Sequence, residues 1–304
     1  MSRFGRRSLA VAAGLLLDRV FGEPPAAVHP VADFGRVMLH LERTSWADRR
    51  GAGVRYTAIG IALGAGAGAL GRSTAGAVAL TSAGRELRRV AAGIGDQLIA
   101  GDLEAARAAL PSLVGRDPSE LDASGVAAAV IESLAENTVD AVVASAFWGL
   151  VAGAPGAGAY RAINTMDAMV GHHSARHERF GWAAARTDDV ANLLPARLFA
   201  LLVAAQVPGR AAEVWRIVRR DAGAHPSPNA GVAEAAVAAA LGRQLGGPLR
   251  YGERLEERPR LGDGPRPGAT DVVRARELVD RVEWSLIGLL VAVAVVDHLR
   301  DRRA

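Results

Sequence analysis

The chain has 304 residues, of which 50% are hydrophobic and 22% are charged, with a formal net charge of +4. This apolar fraction excludes disorder over most of the chain. The absence of cysteine excludes disulfides, thiolate nucleophiles and cysteine-ligated metals. All 36 basic residues are arginine and only 5% of residues are aromatic. Schiff-base chemistry and a P-loop lysine are therefore excluded, and nucleic acid is not an expected partner.

Uncharged runs along the chain predict membrane-embedded helices. In chain order they cover residues 8–17, 56–70, 141–159, 198–207 and 285–296. Only the third approaches the roughly 20 apolar residues that a helix needs to cross a bilayer. Gly60, Gly64 and Gly68 recur at every fourth position, a spacing typical of helices that pack closely in lipid. We expect an all-α, multi-pass membrane protein with about four or five embedded helices.

The polar segments between these runs also predict mainly helices. Residues 82–110 have an amphipathic pattern, and Asp102 and Asp122 are suited to cap the helices that follow them. Residues 250–270 are rich in glycine, proline and charge, which predicts an exposed linker. Strand signals are few. The sequence therefore predicts one α-helical domain over residues 1–304.

Three acidic residues with helical spacing form the first candidate site. Glu132, Glu136 and Asp140 lie four residues apart, so on one continuous helix they would project from the same face, with Asn137 beside them. Like charges on one face repel each other, and a divalent cation would remove the conflict. Oxygen ligands of this kind suit Mg²⁺. The alternative is an ordinary solvated helix face.

Two further polar groups lie at the edges of apolar runs. The first consists of Arg161, Asn164 and Asp167, and the second of Asp188, Asp189, Asn192 and Arg197. Ionisable groups at the edge of a membrane segment are expensive to bury and are usually functional. In a soluble helix, Asp188 or Asp189 would equally well be a capping residue.

Two histidine-containing segments complete the candidates. Residues 225–231 (HPSPNAG) form a proline-rigidified turn that carries His225, Ser227 and Asn229. His172, His173 and His177 raise the question of zinc, because the last two are four residues apart. No cysteine and no H-E-x-x-H pattern supports zinc there, so an ordinary polar loop is favoured.

Seven stretches of the sequence resemble the adenosylcobinamide-phosphate synthases, the CobD/CbiB family. They are DRVFGEPP from Asp18, HPV from His29, ESLAENTVDAVVASAFW from Glu132, AYRAINTMDAMVG from Ala159, FGWAAARTDDVANLLPARL from Phe180, HPSPNAG from His225 and GGPLRYG from Gly246. Together they cover most of the chain in the family's order. The family commonly continues S-P-N-A-G with Trp-Pro, where this chain has Val232-Ala233, and it does not consistently place histidine at positions 172 and 173.

The resemblance implies a multi-pass protein of the inner (cell) membrane that acts in cobalamin biosynthesis. It implies amide formation between aminopropanol, or its O-phosphate, and a carboxyl side chain of the corrinoid cobyric acid. The expected products are cobinamide and cobinamide phosphate, respectively. ATP is the expected co-substrate and Mg²⁺ the expected metal ion.

The working mechanism activates the carboxyl group as an acyl phosphate made from ATP, by positioning and charge neutralisation. The expected catalytic residues are Glu132, Glu136, Asn137, Asp140 and His225, with His225 or a carboxylate accepting the proton of the attacking ammonium. The expected nucleotide and phosphate ligands are Arg161, Asn164, Arg197, Ser227 and Asn229. The expected Mg²⁺ ligands are Glu132, Glu136, Asp140, Asp167, Asp188 and Asp189.

Two other classes of function stay open at the level of sequence. A membrane transporter shares the apolar segments with intramembrane acids, although no internal inverted repeat is visible. A scaffold that holds other corrinoid-pathway enzymes at the membrane is the third alternative. Membrane lipid is an expected partner, and a homo-oligomer is left open.

Overall fold

The computed structural model describes residues 1–115, 117–172, 174–247, 249–251, 254–256 and 258–302. Within these residues the fold is almost entirely helical, which confirms the expected all-α class. The helices are α1 (Arg3–Phe21), α2 (Pro30–Ser45), α3 (Arg50–Gly71), α4 (Thr74–Thr81), α5 (Gly84–Ile99), α6 (Leu103–Ala109), α7 (Ala123–Thr138), α8 (Ala144–Met166), α9 (Trp182–Gln206), α10 (Ala211–Asp221), α11 (Ala230–Leu241) and α12 (Ala269–Asp301).

Two short antiparallel ribbons account for the described strands. They pair β1 (Leu245–Gly246) with β4 (Arg260–Leu261), and β2 (Leu249–Tyr251) with β3 (Arg254–Glu256). The linker expected at about 250–270 therefore contains strand, and its Leu261 is fully buried. Part of that segment lies outside the described residues.

Some of the described helices are long and apolar enough to cross a membrane. Two helical segments qualify by length and composition, Ala123–Gly171 and Ala269–Asp301. A third span results if Trp182–Gln206 and Pro208–Ala224, which are bent by 111°, are counted as one. The described residues thus supply two or three candidate spans, whereas the sequence predicts about four or five embedded helices.

Helix starts follow the local chemistry that the sequence predicts. Asp102 accepts a hydrogen bond from the Ala105 amide at 2.9 Å, and Asp122 accepts one from the Gly125 amide at 2.7 Å. Each aspartate satisfies an amide that has no partner within its own helix. The predicted N-caps of α6 and α7 are therefore confirmed.

The described contacts divide the chain into two compact units. The first unit contains Met1–Arg85, Asp140–Asn192 and Leu286–Ala304, and the second contains Glu86–Val139 and Leu193–Ser285. The sequence predicts one domain over residues 1–304, and no pattern in it indicates that the chain divides into two units. The boundary at Val139 and Asp140 falls within a predicted site.

In the first unit, helices α3 and α8 approach each other through glycines. A Cβ atom added to Gly158 would lie 2.2 Å from the Gly64 carbonyl oxygen, and one added to Gly64 would lie 2.5 Å from the Gly158 oxygen. Such distances leave room only for hydrogen. The predicted small-residue spacing on α3 is therefore used for close helix packing.

In the second unit, α11 is surrounded by protein on all sides. Every residue from Gly231 to Leu241 is buried, and the stretch contains a single ionisable residue, Glu234. A helix that is apolar all round belongs inside a core. The burial of α11 fixes Glu234 in apolar surroundings.

Irregular turns interrupt the long helical segment Ala123–Gly171. A π-helical turn over Val139–Val143 joins α7 to α8, and another over Asp167–Gly171 follows α8. Within α8, Gly153 has φ +69° two residues before Pro155, so the helix is kinked there. A π turn has more residues per turn than an α-helix. Side chains on its two sides therefore lose the simple four-residue alignment.

We expect Gly158→Val to destabilise the first unit, because the added side chain overlaps the α3 backbone. Overpacking of this kind typically costs about 1–3 kcal/mol. Thermal unfolding of the purified protein in detergent should show a lower Tm. Gly66→Val on α3 is the matched control, since a Cβ there meets no heavy atom within 4 Å. Equal Tm values for the two variants would contradict the close packing.

Candidate functional site

The structure brings some of the predicted site residues together in two polar clusters, one in each unit. The aspartate–asparagine cluster of the first unit consists of Asp140, Tyr160, Asn164, Asp188 and Asn192. The glutamate–histidine cluster of the second unit consists of Glu136, His225 and Glu234.

Helices α8 and α9 build the aspartate–asparagine cluster together with the π turn that carries Asp140. The Tyr160 hydroxyl donates to Asn192 Oδ1 at 2.9 Å and lies 3.5 Å from Asp140 Oδ1. Asn164 Nδ2 donates to Asp140 Oδ2 at 3.1 Å, and Asn192 Nδ2 donates to Asp188 Oδ2 at 3.0 Å. Each carboxylate is thus held by amide groups in a fixed orientation.

Two polar atoms beside these bonds are buried and have no hydrogen-bond partner among the described residues. They are Asp188 Oδ1 and Arg161 Nε. The Arg161 guanidinium also lies 3.5 Å from Asn164 Oδ1. Buried polar atoms in folded proteins are nearly always satisfied. One unsatisfied acceptor and one unsatisfied cationic donor at the same place fit a bound cation and a bound anion.

Asp167 and Asp189 lie near this cluster but have other surroundings. Asp167 begins the π turn after α8, and Asp189 accepts from Arg186 at 3.2 Å. Asp189 is therefore engaged in an ion pair along its own helix.

The glutamate–histidine cluster brings three elements of the second unit together. Glu136 comes from α7, Glu234 from α11, and His225 from the turn that precedes α11. One ligand atom from each of the three side chains lies within 4.8 Å of the others. His225 and Glu234 are buried, and Glu136 is half-buried.

Hydrogen bonds define the orientation of the His225 ring. Nδ1 lies 3.1 Å from the Ser227 amide nitrogen and 3.2 Å from the Ser227 carbonyl oxygen. Nε2 lies 2.9 Å from a guanidinium nitrogen of Arg258 and 3.6 Å from Glu234 Oε1. Burial, reinforced by the positive charge of Arg258, lowers the pKa of His225. This shift favours the neutral form of the ring.

Glu234 is held among apolar α11 neighbours and next to other carboxylates. Burial, together with the charges of Glu136 and Glu132, raises the pKa of Glu234 well above its ordinary value. A carboxylate oxygen of Glu136 also lies within 4.8 Å of one of Glu234. Two carboxyl groups in such contact need a proton or a cation between them.

The remaining candidates of the second unit make structural contacts. Glu132 Oε1 accepts from the Gly246 amide at 2.8 Å, which fastens β1 to α7. Asn137 Nδ2 donates to the Ser133 carbonyl at 2.9 Å. Ser227 Oγ accepts from the amides of Asn229 and Ala230 at 3.3 and 3.2 Å, and Asn229 Oδ1 accepts from Arg197 at 2.8 Å. Arg197 and Asn229 are thus brought together as a pair.

The structure gives different partners to the three acids that the sequence places on one helix face. Glu132 contacts Gly246, Glu136 joins His225 and Glu234, and Asp140 is held by Asn164. The π turn that begins at Val139 changes the phase of Asp140 relative to Glu132 and Glu136, which both lie on α7. The role of each acid in Mg²⁺ binding stays a prediction.

Sequence reasoning missed three residues that the structure places in the clusters. Tyr160 lies beside the predicted Arg161 but had no charge to mark it. Glu234 could have been found, since it is the single acid in an otherwise apolar run. Arg258 lies in a segment that was expected to be a linker, and nothing in its local sequence links it to His225.

The histidines that raised the question of zinc lie on the first unit. His177 Nε2 is 3.0 Å from Glu42 Oε1, and His177 Nδ1 is 3.2 Å from His172 Nε2. Arg176 also donates to Glu42 at 3.0 Å. His173 lies outside the described residues. These contacts form a polar network around Glu42, in keeping with the polar loop that the sequence analysis favours.

Fold and clusters together define an all-α membrane protein with two sets of buried or half-buried carboxylates and their polar partners. The family model described as "CobD/Cbib protein" matches residues 11–279. The chain therefore belongs to the CobD/CbiB family.

Curated relatives give the same assignment over nearly the whole chain. The chain is 46% identical over 290 residues to the "Cobalamin biosynthesis protein CobD" of Mycobacterium tuberculosis (strain CDC 1551 / Oshkosh), covering 90% of this chain and 91% of that protein. It is 43% identical over 306 residues to the protein of the same name from Chromobacterium violaceum, covering 95% and 97%. No solved structure matches the chain.

We expect Glu132 to act chiefly as a hydrogen-bond acceptor for β1. Glu132→Gln keeps an acceptor oxygen, whereas Glu132→Leu leaves the buried Gly246 amide unpaired, which typically costs about 1–3 kcal/mol. Denaturant unfolding in detergent should rank the leucine variant well below the glutamine variant. Equal destabilisation by both would show that the negative charge, rather than the acceptor, is what the fold needs.

Proposed function

We propose that this chain acts in cobalamin biosynthesis by joining aminopropanol, or its O-phosphate, to a carboxyl side chain of cobyric acid. The reaction forms an amide and consumes ATP. Family membership supports the pathway, since the relatives are named for cobalamin biosynthesis. The chemistry rests on the aspartate–asparagine cluster, whose unsatisfied acceptor and cationic donor are the observation that carries the proposal.

The donor atoms of this cluster fit Mg²⁺. Asp140 and Asp188 contribute carboxylate oxygens, and the amide side chains of Asn164 and Asn192 hold those carboxylates in place. Mg²⁺ prefers oxygen ligands and is usually held by one or two carboxylates together with substrate phosphates. Asp188 Oδ1, which has no partner among the described residues, is the natural first ligand. Bound there, Mg²⁺ would neutralise charge on the phosphates of ATP.

Arg161 supplies the complementary contact for an anion. Its Nε donor is buried without a partner in the described part of the chain, and the guanidinium lies next to Asn164. A guanidinium matches phosphate oxygens in geometry and charge. We assign Arg161 to a phosphate of ATP or of the activated carboxyl group. With no lysine in the chain, arginine must perform this task.

Amide formation from a free carboxylate in water is uphill, so the carboxyl group must be activated. Phosphoryl transfer from ATP gives an acyl phosphate, and attack by the amine then releases phosphate as the C–N bond forms. Such transfers depend mainly on positioning and charge neutralisation. The fixed carboxylates and Arg161 are suited to both tasks, because hydrogen bonds to neighbouring amides limit their motion.

We further propose that the protein lies in the inner (cell) membrane and crosses it several times. Support comes from the apolar segments Ala123–Gly171 and Ala269–Asp301. On α12, Leu289, Val295 and Leu299 are about half exposed, at 49–51%. Exposed apolar side chains in a row are typical of a lipid-facing surface.

The decisive assay uses the purified protein in detergent with cobyric acid, aminopropanol or its phosphate, ATP and Mg²⁺. Mass spectrometry should detect an ATP-dependent amide product that is absent without enzyme. A scaffold would give no product under these conditions. A transporter would give no product but would move a corrinoid across the membrane of reconstituted vesicles, and either result would overturn the proposal.

We expect Asp188→Asn to reduce the rate of amide formation by on the order of 10²-fold, as loss of one charge-stabilising group in an active site commonly does. Asp33→Asn is the matched control, because Asp33 is exposed on α2 and pairs with Arg36. Both variants should show the wild-type elution volume in detergent. Wild-type activity of the Asp188 variant would remove this carboxylate from the mechanism.

A further inference from the structure

The glutamate–histidine cluster of the second unit has the composition and geometry of a metal site. We propose that Glu136, His225 and Glu234 bind a divalent first-row transition-metal ion. The inference goes beyond the proposed function and rests on the second unit alone. Its first support is the distance criterion, since one ligand atom from each residue lies within 4.8 Å of the other two.

The imidazole of His225 presents the correct nitrogen. The Arg258 guanidinium can only donate hydrogen bonds, so Nε2, at 2.9 Å from it, must be the acceptor. On the other side of the ring, Nδ1 lies 3.2 Å from the Ser227 carbonyl oxygen and 3.1 Å from the Ser227 amide nitrogen, so the backbone of Ser227 fixes the ring orientation. Metal-binding histidines are commonly oriented by such a backbone carbonyl at the other ring nitrogen. Nε2 is therefore the ring nitrogen on the side of Glu234, whose Oε1 lies 3.6 Å away.

The two carboxylates are placed where a cation resolves an electrostatic conflict. The Glu234 side chain is only 5% exposed and lies 3.6 Å from the ring nitrogen. A carboxylate oxygen of Glu136, which is on a separate helix, lies within 4.8 Å of a Glu234 oxygen. Two acids from two helices and an imidazole thus lie close together. Apolar packing alone does not explain this grouping.

The Arg258 guanidinium lies where a bound metal ion would contact His225. Its guanidinium already contacts the Nε2 lone pair of His225, and its charge acts favourably on Glu234. A metal ion bound through Nε2 and the Arg258 contact compete for the same lone pair. Metal binding therefore requires Arg258 to move away from His225.

The donor set decides the class of metal. One imidazole nitrogen and two carboxylate oxygens suit Mn²⁺, Fe²⁺ or Zn²⁺ better than Mg²⁺, which prefers oxygen alone. Three protein ligands leave coordination positions open for water or substrate, as in catalytic sites. Half-buried Glu136 provides the side from which an ion can enter.

Metal ligation changes the role expected for His225 from sequence. A nitrogen that binds a metal ion has no lone pair left for a proton. Under this inference His225 is a metal ligand, and the proton of the attacking ammonium must leave by another group.

The test is a Mn²⁺ titration of the detergent-purified full chain without ATP or corrinoid, followed by pulsed EPR for coupling to an imidazole ¹⁴N. The described aspartate–asparagine cluster contains no histidine, so nitrogen coupling separates the two sites. We expect ¹⁴N coupling in the wild type, and its loss with at least about tenfold weaker Mn²⁺ binding in His225→Ala and Glu234→Gln. His40→Ala and Glu104→Gln, both at exposed residues, are the matched controls.

A further variant is expected to strengthen Mn²⁺ binding. Damage to the fold would weaken binding, so it cannot produce this result. Arg258→Gln removes the competitor for Nε2 and should tighten Mn²⁺ binding several-fold while keeping the ¹⁴N coupling. Arg219→Gln, on the exposed side of α10, controls for the change in net charge. Absence of ¹⁴N coupling in the wild type, or coupling that survives in His225→Ala, would overturn the metal site. Neither result would bear on ATP-dependent amide formation.

Discussion

The structure depends on one constraint, the unfavourable free energy of placing carboxylates among apolar helices. An ionised carboxylate taken out of water without a partner is strongly unfavourable, so it must be protonated, hydrogen-bonded or neutralised by a cation. This constraint applies to Asp140 and Asp188 in one unit and to Glu136 and Glu234 in the other. Each acid is held by amide groups, by an imidazole or by a second acid. The polar chemistry of the protein is concentrated where those partners meet.

The two clusters solve the same problem with different chemistry. The aspartate–asparagine cluster has oxygen acceptors held by amide groups, beside a guanidinium. Hard oxygen ligands and a guanidinium are what a Mg²⁺–phosphate pair requires. The glutamate–histidine cluster adds an imidazole nitrogen, which changes the preferred ion. This difference lets the two sites be tested independently, by activity with ATP and by nitrogen coupling to a bound metal.

Much of the fold could be predicted because its causes are local. Apolar runs predict helices, and Asp102 and Asp122 cap α6 and α7 as expected. The glycine spacing on α3 also predicts the close contact that Gly64 makes. The separation of Asp140 from Glu136 could not be predicted, because the predicted alignment of the two residues assumes a regular helix across Val139–Val143. The π turn there depends on packing between distant segments, which spacing alone does not encode.

The clusters were predicted in part, for the same reason. Acids next to apolar runs are unusual enough to be recognised, so Glu136, Asp140 and Asp188 were named from sequence. Their partners come from other parts of the chain. Arg258, 33 residues after His225, contacts it only because the chain returns between β3 and β4. Long-range pairing of this kind follows from the tertiary fold, and no local pattern indicates it.

The central claim is that the chain activates a corrinoid carboxyl group by phosphoryl transfer and then forms an amide. The most direct measurement uses cobyric acid labelled with ¹⁸O in its reacting carboxyl group, together with the amine, ATP and purified protein. If an acyl phosphate forms, one labelled oxygen must appear in the inorganic phosphate for each amide made. Amide formation with unlabelled phosphate, or with the label in AMP, would contradict the account.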